Sequence, residues 1–244
     1  MDRQPVSGID VIEHLSDTIP LDLEFTDDEG KKTVLGDYFH QGKPVVIVLA
    51  YYNCPMLCTL VLNGVADAVK QNNWTPGEDY RIVTISIDSS ETAELAGLKR
   101  KRYLEYLAKP EADAGWRFHV GDHTQIVRLA DALGFKFFYD ADRKEFAHPA
   151  VVFILGEDGK ISRYLYGIQF NDRDFRLALV EASEGKVGNT LDRLLLYCFH
   201  YDPASKGYVV MAMNVMKLGG LATMLILGLF LAVMWKRDRT SKKE

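Results

Sequence analysis

Val45-Val46-Ile47-Val48-Leu49-Ala50 is an unbroken apolar run rich in β-branched residues, a pattern that reads as a strand buried on both faces. Such a strand needs a neighbour on each edge and a layer over each face, which excludes most small folds. Tyr51-Tyr52-Asn53 then turns the chain into Cys54-Pro55, and a helical pattern follows through Leu57, Leu60, Val61, Val65, Ala68 and Val69. Proline is favoured at the first helical position, where its missing N–H would be unpaired anyway. Cys54 and Cys58 therefore fall where a strand ends and a helix begins. The unpaired N–H groups and positive dipole end of that helix favour thiolate over thiol. A four-residue spacing in a helical turn leaves both sulfurs on one side. Such a pair can close a disulfide or hold a soft metal such as Cu(I).

The rest of the chain supplies the neighbours. Residues 21–26 and 31–35 flank Asp27-Asp28-Glu29-Gly30 as a hairpin. Strands are expected at 45–50, 80–87, 116–120, 135–139, 149–155 and 161–166, the last two joined through Gly156-Glu157-Asp158-Gly159. Helices are expected after the cysteines, after Asp88-Ser89-Ser90 up to Pro110, from Asp122–Thr124 to Gly134, and over 172–183. Strands alternating with helices argue for an α/β sheet, and the late hairpin makes it mixed.

The formal net charge is −5, unevenly placed: residues 236–244 hold five cationic and two anionic groups, net +3, which leaves −8 on the remainder. An acidic domain has no nucleic-acid footprint. Three cysteines are too few and too unevenly spaced for a disulfide scaffold. Residues 218–235 form an 18-residue uncharged run ending in Trp235 before Lys236, Arg237 and Arg239. That is the length of a single-pass anchor, which residues 209–216 can extend, and its basic flank predicts a cytoplasmic tail with the main domain outside. An outer domain requires an export signal, and Met1-Asp2-Arg3-Gln4-Pro5 has neither a basic n-region nor an apolar h-region. The expectation is a signal peptide removed ahead of this numbering; the alternative is a cytoplasmic domain with an inverted anchor.

The cysteine pair at a strand end, the β-α-β order and the late hairpin together resemble the thioredoxin-like fold. Thioredoxins, however, place two residues between their cysteines, and this chain has three, Pro55-Met56-Leu57. With Ile85-Ser86-Ile87-Asp88 and Phe146-Ala147-His148-Pro149-Ala150, the chain is similar to the Sco/SenC family, copper-binding assembly factors of cytochrome c oxidase. The resemblance covers about residues 20–183. It implies that Cys54, Cys58 and His148 are ligands of one copper ion, as Cu(I) or Cu(II), and that Cys54 and Cys58 form the redox pair if there is one. Two departures stand out. Family members usually carry an N-terminal anchor, and many have a small polar residue where this chain has Pro149. Thioredoxins place a cis-proline at the corresponding strand start, and Pro149 in that role would turn His148 toward the sulfurs.

Other candidates have blander readings. His119 and His123 are expected in a loop and beside a helix cap, and His14 and His40 at the surface. Cys198 and His200 share a side of extended backbone and can share a ligand; the alternative is an aromatic interfacial segment with Tyr197, Phe199 and Tyr201. Asp88, Asp140 and Asp142 are expected in loops and caps.

The expected organisation is an N-terminal extension (1–20), a thioredoxin-like Sco domain of mixed sheet flanked by helices with an N-terminal β-hairpin (21–183), a connector (184–208), a transmembrane helix (209–235) and a basic cytoplasmic tail (236–244). The expected function is that of a metallochaperone, or a thiol reductase, serving the binuclear copper site of cytochrome c oxidase. Its partners are subunit II of the oxidase, or a respiratory complex, and the bacterial inner membrane, with the domain on the periplasmic side. The rivals are a thiol-disulfide oxidoreductase or peroxidase of the same fold, and a permanent accessory subunit of a respiratory complex.

Overall fold

The computed structural model describes residues 10–54, 57–184, 199–202, 207–210 and 212–241. They fall into two units, within Met1–Asp192 and Arg193–Glu244. The first holds, in order, β1 (Asp10–Val11), β2 (Glu24–Asp27), β3 (Lys32–Val34), β4 (Val45–Ala50), α1 (Leu57–Gln71), β5 (Arg81–Ser86), α2 (Ala93–Leu107) and β6 (Trp116–Val120). It continues through α3 (His123–Ala132), β7 (Phe135–Lys136), β8 (Phe138–Asp140), β9 (Glu145–Ala147), β10 (Val151–Leu155), β11 (Ile161–Tyr166) and α4 (Asp172–Ala182).

Seven strands make one mixed sheet in the order β11-β10-β4-β5-β6-β2-β3. All six residues of β4 are buried, because β4 pairs with β5 in parallel along one edge and with β10 antiparallel along the other. Helix α1 packs on α2 and α4, turning Val61, Leu62, Val65, Ala66, Ala68 and Val69 inward. Gly64 permits the close approach: a Cβ there would collide with the Ile168 carbonyl. The C-terminal carbonyls of α1 are met by Lys109 Nζ, which donates to Val69 O at 2.8 Å and to Asn72 O at 2.6 Å.

The 27–30 turn is a hairpin turn as expected, with Asp27 Oδ1 accepting from Glu29 and Lys31 N–H. Arg117 braces it through Asp27, Asp28 and Glu29, and Arg100 through Asp28. The chain before it lies against the domain: β1 pairs with β7, and Thr18 bridges Lys160.

Several expectations need correction. The cap of α2 is Thr92, whose side chain accepts from Leu95 N–H, and Asp88-Ser89-Ser90 forms a separate turn before it. Leu60, part of the apolar helical pattern, is exposed. The strand expected at 135–139 is two short strands with different partners: β7 pairs with β1, and β8 with β9. The 140–145 loop is thus the tip of a second hairpin, turned by Asp140 Oδ1, which accepts from Asp142 and Arg143 N–H, and by Lys144 at φ +55°. No Asn-Gly or Asp-Gly signal marks it in the sequence.

His119 is not in a loop. It lies in β6 and is only 1% exposed. Its Nε2 accepts from Tyr38 Oη–H at 2.7 Å, and its Nδ1 faces the Thr84 carbonyl at 3.3 Å. Tyr52 Oη grips the same residue's backbone, donating to its carbonyl at 2.7 Å and accepting from its N–H at 3.1 Å.

The second unit holds β12 (Phe199–Asp202) and β13 (Gly207–Val210), paired as an antiparallel hairpin, and α5 (Ala212–Ser241). Val209 and Val210 therefore belong to a strand and do not extend a helix. Among the described residues, no helix is long and apolar enough to cross a membrane. The expected transmembrane anchor is therefore not supported there.

Burial pushes the His119 imidazole down from 6.5 to about 4, against the Thr84 carbonyl and Asp27, which pull the other way. As pH falls from 6.5 toward 4, the unfolded chain takes up a proton that the folded chain refuses. The fold should lose on the order of 3 kcal/mol over that window through this residue, the loss levelling off below the folded value. Urea unfolding of wild type and His119→Gln at pH 7 and pH 4 checks it, and parallel pH dependences in the two proteins would sink the assignment.

Candidate functional site

Sheet register builds the site. Ala50 ends β4 opposite Ser86, the last residue of β5. Phe153 pairs with Ile47 in the antiparallel β10–β4 ladder, so extending that register carries the residues before Val151 past the end of β4. The loop after β4 and the segment before β10 thus meet beyond the carboxyl ends of parallel strands, the usual place for a site in an open α/β sheet.

Tyr51-Tyr52-Asn53-Cys54 is that loop. Tyr51, Tyr52 and Cys54 are buried. Cys54 N–H donates to Tyr51 O over a long 3.4 Å, and its carbonyl accepts from Thr59 Oγ1 at 3.3 Å. Cys58 lies in the first turn of α1; its side chain, with Pro55 and Met56, is outside the described part.

His148 is 4% exposed. Its Nδ1 lies 2.9 Å from the Pro149 carbonyl; a carbonyl only accepts, so Nδ1 carries the proton and Nε2 keeps its lone pair. The Phe135 and Tyr51 rings stand beside it, with centroids at 5.8 and 6.3 Å. Burial lowers the His148 pKa, while the Pro149 carbonyl and the nearby Cys54 thiolate act to raise it. Structure thus brings two of the three expected donors together, a thiol and a neutral imidazole whose unprotonated Nε2 is of the kind that ligates metals. Both are soft or borderline donors, which suits copper.

The cis-proline expected before β10 is not found: no cis peptide bond occurs among the described residues. What holds His148 is the Pro149 carbonyl. Among the described residues no three His, Cys, Asp or Glu side chains form a group able to hold a metal. Cys198 is outside the described residues, and His200 lies in β12 opposite Val209. Asp88 closes its turn by accepting from Ser90 N–H and Oγ–H.

Sequence reading missed Glu91. It is 8% exposed and accepts from Tyr52 N–H at 2.8 Å, Asn53 N–H at 2.7 Å and Ser86 Oγ–H at 2.6 Å. Burial raises its pKa, against the pull of these three donors. No periodicity or spacing distinguishes it in Ser89-Ser90-Glu91-Thr92, where a glutamate reads as a solvated helix-start residue.

Fold and site define a thioredoxin-like α/β domain with a thiol and an imidazole at the end of its central parallel strands. The chain belongs to the SCO1/SenC family, whose model matches residues 15–178. Among solved structures, a protein of proposed electron-transfer role from Aquifex aeolicus VF5 is similar over 69% of this chain and 94% of its own, at 26% identity and TM-score 0.59. BsSco, a member of the Sco family of cytochrome c oxidase assembly proteins, is similar over 71% of this chain and 98% of its own, at 18% identity and TM-score 0.54. Arabidopsis thaliana ScoI with copper bound is similar over 62% of this chain and 88% of its own, at 19% identity and TM-score 0.48. No curated protein matches the chain in sequence.

Since the acceptor of His148 Nδ1–H is a backbone carbonyl, which any residue at 149 supplies, Pro149→Ala should preserve that bond. The expected cost is below about 1 kcal/mol, with the alkylation rate of Cys54 unchanged. Urea unfolding and iodoacetamide kinetics measure both, and a tenfold or larger rate change would contradict this.

Proposed function

We propose that this chain binds one copper ion through Cys54, Cys58 and His148 and serves the assembly of the copper site of cytochrome c oxidase. The observation that carries this reading is the buried, neutral His148 imidazole beside the Cys54 thiol, with its Nδ1–H donated to the Pro149 carbonyl and its Nε2 unprotonated. Membership of the SCO1/SenC family supports it. Two thiolates and an imidazole suit Cu(I) at low coordination and accommodate Cu(II). Loading requires reduced, deprotonated sulfurs, so a disulfide between Cys54 and Cys58 would block it.

Anaerobic Cu(I) titration against a competing chelator tests the reading. Reduced wild type should bind one equivalent, Cys54→Ser and Cys58→Ser should each abolish tight binding, and His148→Ala should weaken it. Undiminished binding in the double cysteine variant would place the metal elsewhere. Under copper limitation, His148→Ala should also lower oxidase copper content, with partial rescue by added copper. Thiol exchange needs a thiolate and a leaving sulfur but no third donor, so normal oxidase assembly in His148→Ala would favour the thiol-disulfide reading.

Membrane association is the second part of the proposal. Along α5, Met216, Leu221, Met224, Leu225, Ile226, Leu227, Leu229, Phe230 and Leu231 are all more than half exposed, and a basic tail follows. An apolar surface of that extent is not left to water, and cationic residues beside it favour anionic headgroups. The full chain should float with anionic phospholipid vesicles in a sucrose gradient, and the paired change Leu225→Asp and Leu229→Asp should reduce flotation. Wild type remaining in the dense fractions would end this part of the proposal.

A further inference from the structure

We propose that Glu91 is a positioning residue for the cysteine loop: its buried carboxylate fixes the Tyr52 and Asn53 backbone and so sets where Cys54 presents its sulfur. The proposal rests on the reading of Cys54 as a donor.

The amides of Tyr52 and Asn53 lie beyond the last residue of β4, where the sheet ladder has ended. Oε2 of Glu91 accepts from Tyr52 N–H and Ser86 Oγ–H, and Oε1 accepts from Asn53 N–H. One carboxylate therefore closes both amides of the two residues that lead into Cys54. It also ties them to Ser86, the end of the adjacent parallel strand. Among the described residues no cation pairs with Glu91, so these three donors are what stabilises a buried negative charge.

Glu91 is itself held in place. Its N–H donates to Asp88 O at 3.2 Å, and Asp88 N–H donates to Ser86 Oγ at 3.1 Å. The 86–91 turn is thus a bracket braced at both ends. Within the cysteine loop, by contrast, the Cys54 N–H bond to Tyr51 O is long at 3.4 Å. The bracket thus fixes the two residues that lead into Cys54. A glutamine at 91 would keep one acceptor and turn an N–H₂ group toward a backbone N–H, breaking one arm at nearly constant volume.

The full reduced chain carrying Cys58→Ser and Cys198→Ser provides the test, since iodoacetamide then reports Cys54 alone. Adding Glu91→Gln should speed amide exchange at residues 52 and 53, and alkylation of Cys54, by about tenfold or more, the effect of leaving a buried donor unpaired. With native cysteines, the same substitution should raise the Cu(I) dissociation constant by about tenfold. Ser86→Ala, which leaves both backbone bonds intact, should do much less. Rates within twofold of the parent would overturn the proposal, and so would an exchange increase shared equally by the β4 and β5 amides, which marks a fold-wide loss of stability. Should Glu91→Gln not fold, Glu91→Asp keeps the charge, retracts it by one methylene and gives the same readouts. If the parent binds no Cu(I), the copper reading fails, yet exchange and alkylation still decide the role of Glu91.

Discussion

A strand with no exposed face can offer chemistry only at its ends, and β4 is such a strand. Its six residues are committed to the ladders with β5 and β10 and to the layers above and below. Whatever the chain does with Cys54 must happen where the ladder stops. The same burial fixes register, because a one-residue slip would exchange the faces of the whole strand. Register in turn delivers His148 to the Cys54 loop: the antiparallel β10 begins just where β4 has ended. The meeting of thiol and imidazole is thus a consequence of core packing in three strands.

Low polarity around that meeting point decides which forms of the groups persist. His148 is kept neutral by burial, with the Pro149 carbonyl selecting the tautomer. Glu91 holds its acceptors full, since any unfilled one would carry a desolvation penalty. His119 and Tyr52 show the same economy on the far side of the loop, where the Tyr52 hydroxyl serves both backbone groups of His119. The aromatic rings of Phe135 and Tyr51 flank the imidazole.

Much of this was legible in the residues. The β-branched run, the Asp27-Asp28-Glu29-Gly30 turn and the late hairpin are local signals, and each appears in the structure where its pattern put it. What escaped reading depends on contacts distant in sequence. Phe135 and Phe138 fall in different strands because Phe135 pairs with Val11, far back in the chain, whereas Phe138 pairs with Ala147 in a hairpin of its own. His119 looked like a loop residue because its burial is conferred by Tyr38 and Tyr52, some 81 and 67 residues away. Glu91 was invisible because a carboxylate that accepts backbone amides leaves no periodicity behind. At the carboxyl end, length and apolarity suggested a continuous span from 209, whereas β13 occupies its first residues.

The β8–β9 hairpin pairs only with itself, apart from the seven-stranded sheet, and runs straight into His148. Its tip carries Asp142, Arg143 and Lys144, all exposed. Evolution can therefore rewrite the tip without disturbing the core or the donors, because no ladder of the main sheet passes through it. Charge at the tip can therefore change beside the site while the supports of Cys54 and His148 stay as they are.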